Sequence, residues 1–191
     1  TVLLLESLDC LLRELAKVIC FFPRRAGAAC GDLRIRITVE ELLEALHAEK
    51  VEMLVVGGLA SIVHGASLIT NDLDICYRRS KKNYQTLVRA LSRFRPMLRG
   101  PKNEGIAFLF DEKTLQNGMN FTLKTEQGDI DLLGELTGVG NYETLNPSAV
   151  KTELFGVPIK IISLDNLIKA KRAAGRKKDL VHLDELEALK L

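Results

Sequence analysis

The 191-residue sequence contains few cysteines, and their spacing does not indicate a metal site or a disulfide framework. No CxxC pair occurs, and no cysteine and histidine stand at zinc-finger spacing, so we expect no structural zinc. So sparse a set of cysteines favours a reducing, cytoplasmic location over a secreted one. The set consists of Cys10, Cys20, Cys30 and Cys76.

An excess of charge of one sign is also missing. Lys and Arg total 27 against 25 for Asp and Glu, which leaves a net charge of +2. No global field therefore attracts the protein to nucleic acid or to an anionic membrane. The densest basic run, between Lys169 and Lys178, is typical of a solvated helix face, and a local nucleic-acid patch is the alternative.

Long uninterrupted hydrophobic runs are absent as well. The leucine-rich stretch from Val2 to Phe22 is broken at helical intervals by charged residues such as Glu6 and Arg13, so it predicts an amphipathic helix and no membrane partner. Its apolar face packs either on the body of the protein or against a second subunit in a homo-oligomer. We predict a helix and loop over residues 1–32 and one domain with C-terminal helices over residues 33–191.

Apolar periodicity after the N-terminal segment predicts helices alternating with strands. A second helix is expected to begin at Thr38, because Thr38 and Glu41 form a capping-box pattern. The result is an α/β (α+β) fold with a mixed sheet flanked by helices. Strands are predicted at 53–56, 72–77, 106–110, 120–123, 129–133 and 157–162, and further helices at 59–64, 81–94, from 164 and over 180–189.

The most informative stretch runs from residue 55 to residue 75. Gly57 and Gly58 follow a buried strand, and a glycine turn before a helix lets backbone amides approach a phosphate. Asp72 and Asp74 alternate with apolar residues, so they share one strand face. Two carboxylates at this spacing repel each other unless a cation or hydrogen bonds lie between them, and their oxygens suit Mg²⁺ or Mn²⁺. The alternative is a pair of edge-strand aspartates facing water.

A third acid, Asp131, stands in the apolar run 130–133. Burying a carboxylate there is costly without a partner, so we expect it to face the same cation. Asp129 shares the face of Asp131 and is the rival for this role.

Together these residues resemble a known family. The GG…HG…T.D.D pattern of the polymerase-β-like nucleotidyltransferase superfamily is reproduced, and Asp131 falls where that family has its third carboxylate. The stretch after Ser163 looks like the C-terminal element of the minimal branch, which includes antitoxin-linked nucleotidyltransferases and toxin enzymes of abortive-infection pairs. The resemblance covers about residues 51–189, and its pattern residues are Gly57, Gly58, His64, Gly65, Thr70, Asp72 and Asp74.

The resemblance implies a metal-dependent enzyme that moves a nucleoside monophosphate from a nucleotide triphosphate to a hydroxyl of a protein, an RNA or a small molecule. It places Mg²⁺ (or Mn²⁺) on catalytic carboxylates at Asp72, Asp74 and Asp131. It assigns substrate binding to Gly57, Gly58 and Thr70, and phosphate contacts to two basic residues of the C-terminal element, Lys171 and Arg176.

Two positions depart from the family pattern: Gly58 replaces a common serine, and Leu68 replaces a common arginine. The loss of a cation near a triphosphate is expected to weaken its binding. Leu68 therefore favours the alternative function, a catalytically inactive binding module of the same fold or one component of a toxin–antitoxin pair. His64 is expected to cap carbonyls rather than take part in catalysis.

Overall fold

A computed structural model describes residues 30–67, 69–70, 72–100, 108–176 and 183–190, with side chains from Val39 onward. Contacts within the chain place a unit boundary between Ile37 and Thr38, and the described strands all lie in the unit Thr38–Leu191. The predicted N-terminal helix and its role in an oligomer lie outside the described residues. The division at residues 32 and 33 stays a prediction.

The described residues form strands that build one mixed sheet and one short ladder. The strands are β1 Met53–Val55, β2 Asp72–Tyr77, β3 Met97–Leu98, β4 Asn120–Thr125, β5 Gly128–Leu133, β6 Glu135–Leu136, β7 Gly140–Asn141, β8 Val150–Leu154 and β9 Val157–Ile161. Seven of them form the mixed sheet in the order β3-β4-β5-β2-β1-β9-β8. β2 and β5 are parallel to each other, as are β1 and β9, and the remaining neighbours are antiparallel. A separate two-stranded ladder joins β6 to β7.

Helices cover one another and the sheet through apolar faces, as in the helix from Cys30 to Ala48, whose Leu42, Leu43 and Leu46 are fully buried. Two short 3-10 turns lie at Ser92–Phe94 and Asn146–Ser148. The helices are α1 Cys30–Ala48, α2 Gly57–Val63, α3 Lys81–Leu91, α4 Glu112–Asn117, α5 Tyr142–Leu145, α6 Leu164–Ala174 and α7 Leu183–Ala188.

Alternation decides which face of the central strands is buried. Leu73 and Ile75 of β2, together with Ile130 of β5, have no exposed surface and form the centre of the core. Because successive side chains point to opposite faces, the residues between them form the other face of the sheet. That face carries Asp72 and Asp74, as the sequence predicts.

A buried asparagine ties the ends of β1 and β2 together. The Asn83 side chain is 2% exposed, and its amide nitrogen donates to the carbonyl oxygens of Glu52 (3.0 Å) and Arg78 (2.9 Å). Its oxygen accepts from the Glu52 backbone N–H (2.8 Å) and from the Thr86 hydroxyl (3.0 Å). All four hydrogen-bonding positions of this amide are therefore used.

Several predicted boundaries are wrong. The helix expected to begin at Thr38 already begins at Cys30, so Thr38 lies within a helix and does not cap one. The strand expected over 106–110 is not formed at the described residues 108–110, and the helix Glu112–Asn117 begins directly after them. Asp111 caps that helix by accepting from the Thr114 backbone N–H. The strands Met97–Leu98 and Val150–Leu154 were not predicted.

Within the part of the chain that the structure describes, no helix combines the length and the apolar character that a membrane span requires.

Candidate metal centre

The three predicted carboxylates meet on two neighbouring strands. β2 and β5 pair in parallel with Asp74 opposite Asp131 and Asp72 opposite Asp129. Asp72, Asp74 and Asp131 each offer a carboxylate oxygen, and these oxygens all lie within 4.8 Å of one another. All three side chains are half-buried. The predicted convergence of Asp131 with the Asp72 and Asp74 pair is therefore found in the structure.

The donor set fits a small hard cation. Mg²⁺ and Mn²⁺ prefer oxygen ligands, and ligands on opposite sides of one Mg²⁺ lie roughly 4 Å apart. The spacing of the three oxygens is close to that scale, so one or two ions can be shared among them. Asp72, Asp74 and Asp131 are the residues that would hold such an ion.

The glycine turn fits closely against this site. Gly57 begins the helix Gly57–Val63 with φ +62°, and a Cβ placed on it would overlap the Asp74 carboxylate. The backbone N–H of Gly58 points to Asp74 Oδ2 at 3.4 Å. Glycine is therefore required at position 57 both for its backbone conformation and for the approach of Asp74.

The position of Thr70 accounts for the glycine at position 58. A Cβ on Gly58 would lie 2.5 Å from Thr70 Oγ1, so the space that a serine would need at position 58 is taken by Thr70. The Thr70 hydroxyl donates to Asp72 Oδ1 at 2.7 Å. Thr70 thus orients one of the three carboxylates, and its assignment to substrate binding stays a prediction.

Arg99, which no sequence pattern indicated, also lies at the site. Arg99 Nη2 donates to Asp131 Oδ1 at 2.8 Å, and Nη1 donates to Asp129 Oδ2 at 2.6 Å. Nη2 also lies 3.9 Å from Asp72 Oδ2. Burial disfavours the charged guanidinium, but the hydrogen bond to Asp129 and the nearby carboxylates outweigh that effect and raise the pKa of Arg99 above its usual value.

Arg99 reaches the carboxylates because it extends the edge strand β3. Its backbone N–H donates to the Thr122 carbonyl at 2.9 Å, and Thr122 lies opposite Asp131 in the ladder between β4 and β5. The side chain therefore crosses one strand of the sheet. The only sequence signal for Arg99 is that clustered acids need a positive charge nearby. That requirement does not indicate which arginine provides the charge.

Asp129 and His64 were also considered for roles at the site, and both lie outside the group of three acids. Asp129 lies on the same strand face as Asp131, and both side chains contact Arg99. His64 Nε2 donates to the carbonyl of Ile162, just after β9, at 2.8 Å, and its predicted lack of a catalytic role stays a prediction.

The two C-terminal basic residues lie on another element. Lys171 is in the last turn of the helix Leu164–Ala174 and is 9% exposed, and Arg176 follows Gly175, which ends that helix. Their assignment to phosphate contacts stays a prediction. The exposed Arg172 of the same run pairs with Glu187. Leu68, Lys177 and Lys178 lie outside the described residues.

Comparison with protein-family models and with curated proteins finds no match. Among solved structures, the chain is similar to one described as a "putative nucleotidyltransferase" from Thermotoga maritima, with a TM-score of 0.51. The similarity covers 77% of this chain and 88% of that chain at 20% sequence identity. Identity at this level concerns the fold and not the reaction.

This chain has a nucleotidyltransferase-like fold. The mixed sheet with its flanking helices and the three clustered carboxylates agree with that assignment. The fold alone does not define a function, because function depends on the residues of the site.

Proposed function

We propose that the protein is a metal-dependent nucleotidyltransferase that moves a nucleoside monophosphate from a nucleotide triphosphate to a hydroxyl group. The observation that carries the proposal is the placement of Asp72, Asp74 and Asp131 on adjacent strands with their carboxylate oxygens within 4.8 Å. Three acids gathered at half-buried positions repel each other, and a divalent cation relieves that repulsion. The resemblance of the sequence pattern and the similarity of the fold support the same reaction class.

In the proposed reaction, the acceptor hydroxyl oxygen forms a bond to the α-phosphorus of the triphosphate while the bond to the pyrophosphate oxygen breaks. The hydroxyl loses its proton and pyrophosphate leaves with the bonding electrons. A divalent cation at the three carboxylates would favour the alkoxide form of the acceptor and neutralise charge on the phosphates. The protein would contribute mainly position and electrostatic stabilisation.

The surrounding residues would keep the carboxylates in place and bind the substrate. Thr70 fixes Asp72 through its hydroxyl, and Gly57 leaves room for Asp74. We assign the triphosphate to the side of the site formed by Gly57 and Gly58, and Lys171 and Arg176 are its proposed phosphate contacts. A nucleotide triphosphate and Mg²⁺ (or Mn²⁺) are thus the proposed substrate and cofactor.

The acceptor and the biological setting follow from the sequence resemblance alone. We propose a protein, RNA or small-molecule hydroxyl as acceptor and a cytoplasmic location. The likeness of the segment after Ser163 to the minimal branch supports a role in an antitoxin-linked or abortive-infection pair.

One observation favours a second function. Arg99 already supplies a positive charge to Asp131 and Asp129, so part of the cluster is neutralised by the protein itself. This neutralisation by Arg99 would let a protein that has lost catalytic activity keep its fold without a metal. The alternative is therefore a catalytically inactive binding module or a toxin–antitoxin component.

Label transfer separates the two functions. The protein is incubated with each α-³²P-labelled nucleotide triphosphate, Mg²⁺ and candidate RNA, protein and small-molecule acceptors. An enzyme is expected to label an acceptor, and Asp74→Asn is expected to abolish the labelling. Asp184→Asn removes an exposed carboxylate on the helix Leu183–Ala188 and is the matched control. Labelling that survives Asp74→Asn would contradict the site assignment, and no labelling with any pair would favour the binding module.

A further inference from the structure

Arg99 contacts two carboxylates, and a cation bound at the site would change these contacts. Its Nη2 binds Asp131, a member of the three-acid group, and its Nη1 binds Asp129, which is outside that group. We propose that Arg99 is the built-in counter-ion of the metal-free site, which leaves Asp131 when a divalent cation binds, stays on Asp129 and then contacts the triphosphate. This inference depends on the proposed function.

Charge in the cluster supports the first step. Asp72, Asp129 and Asp131 all lie within 4 Å of the Arg99 guanidinium, and these side chains are between 20% and 34% exposed. Without a metal, one guanidinium therefore offsets the repulsion among several carboxylates. A divalent cation at Asp131 would bring three positive charges together beside one carboxylate, so the weaker partner is expected to withdraw.

The anchoring of Arg99 supports the second step. Its backbone is held to Thr122 at 2.9 Å, and its Nη1 contact with Asp129 (2.6 Å) is shorter than its Nη2 contact with Asp131 (2.8 Å). Rotation of the side chain can therefore break the bond to Asp131 while the bond to Asp129 is kept. The guanidinium then remains within a few ångströms of the ion that displaced it.

Space and chemistry support the third step. Thr122 and Lys124 lie between Arg99 and the carboxylates on the same face of β4, and both are exposed, so the guanidinium borders an open surface. A planar guanidinium binds phosphate oxygens with two parallel hydrogen bonds. A triphosphate that extends from the Gly57 and Gly58 side across the metal would bring such oxygens to the side of the ion that faces Arg99. Asp129 thus keeps its hydrogen bond to Arg99 while the guanidinium rotates, which explains why a fourth acid lies beside the three.

Calorimetry of Mn²⁺ binding to wild type and Arg99→Ala tests the displacement. A charge-assisted hydrogen bond contributes about 1.5–3 kcal/mol, which corresponds to at least roughly a tenfold change in affinity. Arg99→Ala is therefore expected to bind Mn²⁺ about tenfold more tightly. Arg95→Ala, which removes an equal charge from an exposed pair with Glu126, is the matched control and is expected to bind as wild type does.

A second titration tests the contact with the triphosphate. With Mn²⁺ saturating, a non-hydrolysable nucleotide triphosphate analogue is expected to bind Arg99→Ala about tenfold more weakly than wild type. Equal binding of the analogue would overturn the proposed phosphate contact.

Arg99→Lys keeps the charge but cannot hold both carboxylates with one planar fork, so intermediate affinities for Mn²⁺ and for the analogue are expected. It also provides a folded comparison if Arg99→Ala does not fold.

The outcomes separate this inference from the proposed function. Equal Mn²⁺ affinity in wild type, Arg99→Ala and Arg99→Lys would overturn the displacement while leaving the metal site intact. Absence of Mn²⁺ binding in all variants would overturn the metal site, and with it both the proposed function and this inference.

Discussion

Gly57 lies against the carboxylate of Asp74 so closely that a Cβ on the glycine would overlap Asp74 Oδ2. Gly57 also has φ +62°, a conformation that L residues with side chains adopt at a cost. One residue thus meets two separate requirements, one of the backbone and one of the site. Substitution can separate them because Gly175 has nearly the same φ, +61°, and ample space.

Gly57→Ala is expected to impair both stability and metal binding. The left-handed backbone should cost about 1–2 kcal/mol in Gly57→Ala and in Gly175→Ala alike. Only Gly57→Ala also displaces Asp74, so Mn²⁺ affinity should fall about tenfold or more in that variant alone. Chemical denaturation measures the first effect and calorimetry the second. If both variants bind Mn²⁺ as wild type does, the closeness of Gly57 to Asp74 has no consequence for the site.

Thr70→Val is expected to weaken metal binding without unfolding the protein. Valine keeps the shape of threonine but cannot donate the 2.7 Å hydrogen bond to Asp72. Loss of a group that orients a metal ligand typically costs about 10–100-fold in affinity, and the lower end is expected here because Asp74 and Asp131 are unaffected. Thr152→Val makes the same chemical change on the edge strand β8, away from the carboxylates, and serves as the control. A Thr70→Val variant with wild-type Mn²⁺ affinity would show that Asp72 needs no such support.

Metal is expected to stabilise the fold through the carboxylates. Because a ligand that binds only the native state raises the free energy of unfolding by RT ln(1 + [L]/Kd), Mg²⁺ at about 100 times its Kd should add about 2.7 kcal/mol. Asp74→Asn should abolish this gain, and Asp184→Asn should keep it. Thermal denaturation with and without Mg²⁺ and EDTA measures the difference. Equal stabilisation of wild type and Asp74→Asn would place the ion elsewhere.

Asn83→Ala is expected to destabilise the protein by about 2–4 kcal/mol, because it removes the hydrogen bonds of a buried amide to the backbone of Glu52 and Arg78 and takes away the acceptor of the Glu52 N–H. Asn166→Ala removes a hydrogen bond to Ser148 at a more exposed position and should cost less than about 1 kcal/mol. Urea denaturation compares the two. A small effect of Asn83→Ala would mean that water or the surrounding backbone takes over these hydrogen bonds.

The alternation of polar and apolar residues in β2 was enough to predict the shared face of Asp72 and Asp74. The apolar surroundings of Asp131 then predicted a second strand with an acid in need of a partner. Both inferences succeed because each depends on a period of two within a few consecutive residues. The parallel pairing that puts Asp131 opposite Asp74 was not predicted, because the shared need for a cation indicates only that the acids meet and not how their strands pair.

Arg99 was missed because its position is set by long-range pairing. It extends a strand of only two residues, Met97–Leu98, and its carboxylate partners are about thirty residues away in sequence. So short a strand has no measurable periodicity. The strand predicted to include residues 108–110 is wrong for a different reason: its apolar residues fit a strand locally, but Asp111 caps a helix that begins at Glu112. Short apolar runs do not distinguish these outcomes without tertiary contacts.

The carboxylates stand on strands that have a hydrogen-bonded neighbour on either side, β5 between β4 and β2, and β2 between β5 and β1. Edge segments of a protein exchange their amide hydrogens through local fraying, whereas interior strands exchange mainly when the whole fold opens. The amides of β2 and β5 should therefore be among the slowest to take up deuterium. Heat or denaturant would then destroy the site and the tertiary structure in one cooperative event, and partly unfolded molecules that keep the cluster of carboxylates should not accumulate.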